Sequence, residues 1–241
     1  MKSRILRPLF ILPILTLLVV ACDNGIDPSS EISTVPYDLS DFSGITAENG
    51  CLLTLVADTA WSVEVTTNEN FVQYLQVFVR DDALTIRLDP NRSYDGNKVF
   101  RATVHMPQLR ALVLSAGSHA DLGTGFRSTL AFAGVFSAGS SARGEMETGD
   151  FSIVLSAGSE IILAGGGINA SIVASAGSHA DFGNCTMNSG SVTASGGSTV
   201  TVNVLGVLNI DASGGSEVFY RGNPTLGSVN SSGGSTVKRI P

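Results

Sequence analysis

The sequence predicts an all-β protein, most of it a right-handed parallel β-helix-like solenoid, preceded by a strand-rich N-terminal cap. Three observations carry this expectation: a short fixed period, a two-residue apolar alternation around it, and no amphipathic helical stretch between its copies. The tetrapeptide Ser-Ala/Gly-Gly-Ser begins at Ser115, Ser137, Ser156, Ser175, Ser195, Ser213 and Ser232, in steps of 18 to 22 residues. A unit of about 19 residues is too short for a strand-helix-strand crossover, which takes about 30. Each unit is therefore strand and turn. One coil stacks about 4.8 Å on the next, and six such steps span roughly 29 Å.

The flanks repeat with the tetrapeptide. Three residues before each first serine stand Leu112, Gly134, Ile153, Ile172, Val192, Ile210 and Val229. Two residues after each last serine stand Ala120, Ala142, Ile161, Ala180, Val200, Val218 and Val237. Directly after that serine the residues are polar: His119, Ser141, Glu160, His179, Thr199, Glu217 and Thr236. The apolar columns face inward and the polar column outward. The third tetrapeptide residue is always glycine (Gly117, Gly139, Gly158, Gly177, Gly197, Gly215, Gly234) and marks a bend needing a positive φ. The serines read as a structural ladder, because a nucleophile is one residue singled out by a base, not seven equivalent ones.

Residues 1–21 read as a secretion signal, with Lys2, Arg4 and Arg7 before an uncharged apolar run too short to cross a bilayer as a mature helix. Val19-Val20-Ala21-Cys22 resembles a lipobox, which makes Cys22 the lipidated N-terminus and the membrane a partner through that anchor. Residues 22–40 read as a flexible tether rich in Asp, Pro, Ser and Gly. Residues 41–241 form a single domain, with N-terminal strands or cap over 41–110 and the seven-rung repeat over 111–241. In the N-terminal part, alternating stretches around Leu53, Val63, Ile86 and Ala102 read as strands.

Removing the signal takes away three basic residues and no acid, leaving 11 basic against 21 acidic residues, a net charge of −10. With no Lys/Arg stripe, nucleic acid is excluded as a partner. Cys51 and Cys185 are either a disulfide in an oxidising compartment or two buried thiols; their spacing decides nothing.

The chain resembles the putative auto-transporter adhesin, head GIN domain family of secreted proteins and lipoproteins common in Bacteroidota. The likeness rests on Phe42-Ser43-Gly44-Ile45, Asp82-Ala83-Leu84-Thr85-Ile86, Val104-His105-Met106-Pro107-Gln108-Leu109 and the serial Ser-Ala/Gly-Gly-Ser corners. It implies a β-helix-like fold, a place in the cell envelope, at the periplasmic side or the surface of an outer membrane, and an adhesive role. It brings no catalytic residues. Asp58-Thr59-Ala60 also resembles the O-glycosylation signal of that phylum, with Thr59 as acceptor.

The candidate ligand-facing residues are His119, Asp121, Glu160, His179, Asp181 and Glu217, in the outward columns beside the bends. Glu160 and His179 fall on neighbouring rungs, about 5 Å apart. Two such ligands do not complete a zinc site, and no motif implies a cofactor. The acids are scattered singly over the rungs, unlike the clustered carboxylates of polysaccharide-cleaving enzymes. The expected function is a non-catalytic surface that binds glycans or proteins. A passive envelope scaffold ranks second and a polysaccharide-acting enzyme third.

Overall fold

The computed structural model describes residues 25–241; the signal segment and Cys22 lie outside the described residues. In chain order the strands are β1 (Ile32–Tyr37), β2 (Gly44–Ala47), β3 (Leu52–Ala57) and β4 (Ser62–Asn68). A 3-10 turn at Glu69–Tyr74 leads to β5 (Leu75–Arg80), β6 (Ala83–Leu88) and β7 (Phe100–Met106). Then come β8 (Ala111–Leu114), β9 (His119–Asp121), β10 (Phe126–Arg127), β11 (Phe132–Phe136), β12 (Ser141–Glu147) and β13 (Asp150–Leu155). The long β14 (Glu160–Ala174) and β15 (His179–Ala194) precede β16 (Thr199–Val204), β17 (Val207–Ala212), β18 (Glu217–Arg221), β19 (Thr225–Ser231) and β20 (Thr236–Arg239).

These strands stack as a parallel solenoid with two long sides. The first side runs β6, β2, β8, β11, β13, the second halves of β14 and β15, then β17 and β19. The second runs β7, β3, β9, β12, the first halves of β14 and β15, then β16, β18 and β20. Inward columns predicted from the repeat are buried: Leu112, Ile153, Ile172, Val192 and Ile210 on the first side, Ala142, Ile161, Ala180, Val200 and Val218 on the second. Between them Phe132, Phe151 and Phe182 stack edge to face, with centroids 6.3 and 5.6 Å apart. The exceptions are on the last coil, where Val229 is exposed and Val237 half-buried.

The corner geometry explains the tetrapeptide. Its second and third residues both adopt positive φ, as at Ala157 (53°) and Gly158 (68°), the pattern of a primed two-residue turn. A Cβ at Gly158 would meet nothing within 4 Å, so this glycine is required by its backbone angle, not by space. The turn amide Gly158 N donates to Ala176 O of the next coil at 3.0 Å. The fourth serine is buried: Ser198 Oγ accepts from Ser195 N at 3.1 Å and lies 2.9 Å from Ala174 O of the preceding coil. These serines are thus structural, tying each corner to its own turn and to the coil before it.

The N-terminal strands are more than a cap. The coil of β2 and β3 lies between that of β6 and β7 and that of β8 and β9, so coil order along the stack departs from chain order. Its corner, Glu48-Asn49-Gly50-Cys51, has φ of 63° at Asn49 and 74° at Gly50, and Cys51 N donates to Ser118 Oγ at 3.2 Å. It is an eighth copy of the turn without the serine signature. What covers this end of the stack is β5, antiparallel on β6, together with β4, antiparallel on β7, and β1, antiparallel on β4. Trp61 joins in, donating Nε1–H to Phe42 O at 3.0 Å.

Two expectations are corrected. The flexible tether over 22–40 does not hold for Ile32–Tyr37, which is an edge strand against β4, and Ile26 bridges Tyr94. Ser33, Val35 and Tyr37 are half-buried, and Pro36 is tolerated because an edge strand needs no amide there. The run Ala164-Gly165-Gly166-Gly167-Ile168 reads in sequence as a turn on its own merits, but Gly165, Gly166 and Gly167 lie within β14, paired with Cys185, Thr186 and Met187 of β15. A Cβ at Gly165 would stand 2.1 Å from Met146 O, so the close approach of two backbones demands glycine there.

Cys51 and Cys185 are free and buried, which resolves the open alternative in favour of two thiols. Burial pushes both up to about 12. Because the folded value exceeds the unfolded one, their contribution to stability is complete below about pH 8.5 and is lost as pH rises toward 12. A disulfide-exchange reagent at pH 8 is expected to leave both thiols unreacted until denaturant is added; rapid native reaction at either would contradict this packing. In urea titrations Ala157→Gly is expected to stabilise the chain by up to about 1 kcal/mol through relief of left-handed strain. Gly165→Ala is expected to destabilise it by about 3 kcal/mol or more through its clash with Met146.

Candidate functional site

The outward columns of the second side follow directly from the corners. The buried serine ends the turn, so the next residue points out and the one after it points in. This places Leu52, His119, Ser141, Glu160, His179, Thr199 and Glu217 in one register, and Thr54, Asp121, Arg143, Ile162, Asp181 and Thr201 in the register two residues on.

The predicted residues are only partly brought together. Thr54, His119, Asp121, Ser141, Arg143 and Glu160 line a shallow depression of about 500 Å³, with Leu52 and Ile162 among its walls. A second depression of about 210 Å³ shares Asp121, Arg143 and Ile162 and adds Asp181 and Asn184. His179 lies beside Glu160 in register but outside both hollows, and Glu217 stands two coils beyond it, past Thr199. Asp121 and Asp181, which share an identical local sequence, are separated by Arg143 and Ile162.

Within the hollow the polar groups pair along the stack. His119 Nδ1 and Ser141 Oγ are 2.7 Å apart, and Arg143 Nη2 reaches Asp121 Oδ2 at 3.3 Å. The other Asp121 oxygen accepts from Gly123 N at 2.9 Å, and Asp181 Oδ1 accepts from Gly183 N at 2.8 Å, so the two aspartates also shape their strands. Arg143 is largely exposed and its pair with Asp121 contributes little stability; the guanidinium is free to exchange partners. At the far end Arg221 reaches across two coils to Gly183 O and Asn184 Oδ1, at 3.3 and 3.4 Å. Among the described residues no three His, Cys, Asp or Glu side chains converge as a metal site. The hollow offers a row of donors and acceptors along the solenoid axis, suited to an extended polar ligand.

Arg143, Thr54, Ser141 and Ile162 were not among the predicted site residues. Arg143 was findable: it occupies in the Ser137 copy the position that Asp121 and Asp181 occupy in theirs. Thr54 was not, because its coil lacks the tetrapeptide. Elsewhere, Thr59 sits exposed in the loop after β3. There Asp58 accepts from Thr59 N at 2.6 Å and meets His105 Nδ1 at 3.0 Å. The His105 bond, then the Thr59 amide, hold the Asp58 carboxyl below its usual value.

Several solved structures share this fold. A crystal structure of a putative adhesin from Bacteroides fragilis superposes with a TM-score of 0.81 at 19% identity, covering 90% of this chain and 100% of that one. A putative adhesin from Parabacteroides distasonis gives 0.69 at 14% identity, covering 90% and 100%. A protein of the same species described as a putative lipid binding protein gives 0.67 at 20% identity, covering 90% and 99%. At such identities the likeness is one of fold. No curated protein matches the chain. The family model described as "Putative auto-transporter adhesin, head GIN domain" matches residues 41–224, more than half of the chain. The stacked coils and their Ser-Gly corners therefore have a family: the chain belongs to the one described as "Putative auto-transporter adhesin, head GIN domain".

Proposed function

We propose that this protein is a lipid-anchored envelope protein that binds an extended glycan or protein segment, without catalysis, along the outer face of its second side. The observation that carries the reading is the pair of adjoining depressions between Leu52 and Asn184, with Asp121, Arg143 and Ile162 lining both. Its groups lie in register at the coil spacing, so an extended ligand lying along the stack meets the outward side chains of one coil after another. The Asp121–Arg143 pair is exposed and leaves guanidinium donors free, so it can be exchanged for contacts with a ligand. The anchor reading rests on Ala21-Cys22 and the apolar run before it.

The site is tested by probing polysaccharide and matrix-protein arrays with the chain. The double variant Asp121→Ala, Arg143→Ala is expected to weaken binding about tenfold or more while lowering the unfolding free energy in urea by only about 0.5 kcal/mol, as for an exposed pair. Unchanged binding by that variant would place the ligand elsewhere, and release of new reducing ends would mark an enzyme instead. For the anchor, Cys22→Ser is expected to abolish incorporation of labelled fatty acid and to move the protein from membranes to the soluble fraction; a labelled Cys22→Ser chain would refute it.

A further inference from the structure

The outer face of the first side has a chemistry of its own. Two outward columns run along it in register through seven successive coils. One, from Ala83 to Ser191, holds only glycine, alanine and serine; the other, from Thr85 to Thr193, holds only threonine and valine. Neither carries a charge over that length, although the opposite side carries His119, Asp121, Arg143, Glu160 and Asp181 at equivalent positions. At the centre Val135, Val154 and Val173 are stacked and 42%, 41% and 39% exposed. A contiguous ladder of exposed valines without charge is a surface that favours an apolar partner over water.

We propose that this face docks a second copy of the chain, through a two-fold axis parallel to the stack and lying between the two columns. That operation brings each valine of one copy over the Ala/Ser column of the other and keeps both chains running the same way. Large side chains then enter the row of small ones, and the same rows are filled in return, which is the self-complementarity an isologous interface needs. An axis along the strands would instead set valine against valine and leave the small columns facing a gap. Seven coils at about 4.8 Å, each presenting roughly 15 Å of strand, give about 500 Å² per copy and about 1,000 Å² in all, the size at which specific interfaces begin. The parallel arrangement sets the two N-terminal ends side by side, as two chains held at one surface require. It also leaves the hollow on the opposite side of each copy open, so this inference stands apart from the ligand reading.

The test is sedimentation equilibrium of the full chain, as the expressing cell processes it, at tens of micromolar. The mass is expected to be twice that of the chain. Val154→Lys is expected to give a monomer with unchanged circular dichroism, and Thr201→Lys on the opposite side a dimer. Nitroxides on Asp150→Cys and, separately, on Thr225→Cys, exposed positions of one outward column beside the docked rows, are expected to report similar intermolecular distances, because the axis keeps every residue at its own height. A monomeric parent chain would overturn the proposal and leave the face to a flat apolar partner of another kind. A dimeric Val154→Lys chain, or a much longer distance at position 225 than at 150, would overturn it as well.

Discussion

The solenoid depends on one local device: two consecutive residues in left-handed backbone conformation, closed by a buried hydroxyl. The pair of positive φ angles reverses the chain within a single tetrapeptide, which lets one coil fit into about 19 residues. The turn amides bond to the next corner, as Gly139 N does to Ala157 O at 3.0 Å, so the corners form a ladder of their own beside those of the strands. The hydroxyl then satisfies polar groups that would otherwise be buried without partners, as Ser140 does with Leu114 O. Sharp reversal, stacking and dryness at the corner are consequences of the same four residues.

Because the corners are fixed, each strand begins at a defined phase, and the phase decides which side chains see water. The second side acquires its mixed row of His, Asp, Arg and Glu, and the first its uncharged row of Val, Thr, Ala and Ser, from one alternation read on opposite walls of the same coil. A solenoid in this way sorts its chemistry by wall, and substitutions on one wall leave the other untouched.

Most of this architecture was legible because the turn has a strict sequence requirement and the columns a strict period. The signal fails where the physics admits substitutes. Asn49 tolerates positive φ almost as glycine does, and Cys51 fills the volume of the buried serine, so the corner of the second coil carries no recognisable tetrapeptide. The insertion of that coil between two others arises from pairings distant in sequence, which no local pattern encodes. The strand Ile32–Tyr37 was hidden by its polar composition and its proline, both acceptable on an edge. Of the site, the residues next to the tetrapeptide were found from the repeat. Arg143 and Thr54 belong to it only because coils from different parts of the chain come into register.

The placement of β2 and β3 sets the order in which the molecule can be assembled. This coil is flanked on one side by β6 and β7 and on the other by β8 and β9, all of which come later in the chain. When a chain crosses a membrane from its N-terminus, these two strands emerge ahead of every strand they pair with; one edge of β2 waits for β6, and the other stays bare until β8, more than sixty residues beyond Ala47. Winding therefore cannot proceed from the first strand onward; it must wait for a later segment to close around an early one, after which the remaining coils can add one by one. Pairings of this kind, far apart in the chain, require loop closure before any contact rewards it, whereas each coil downstream needs to meet only the one laid down just before it.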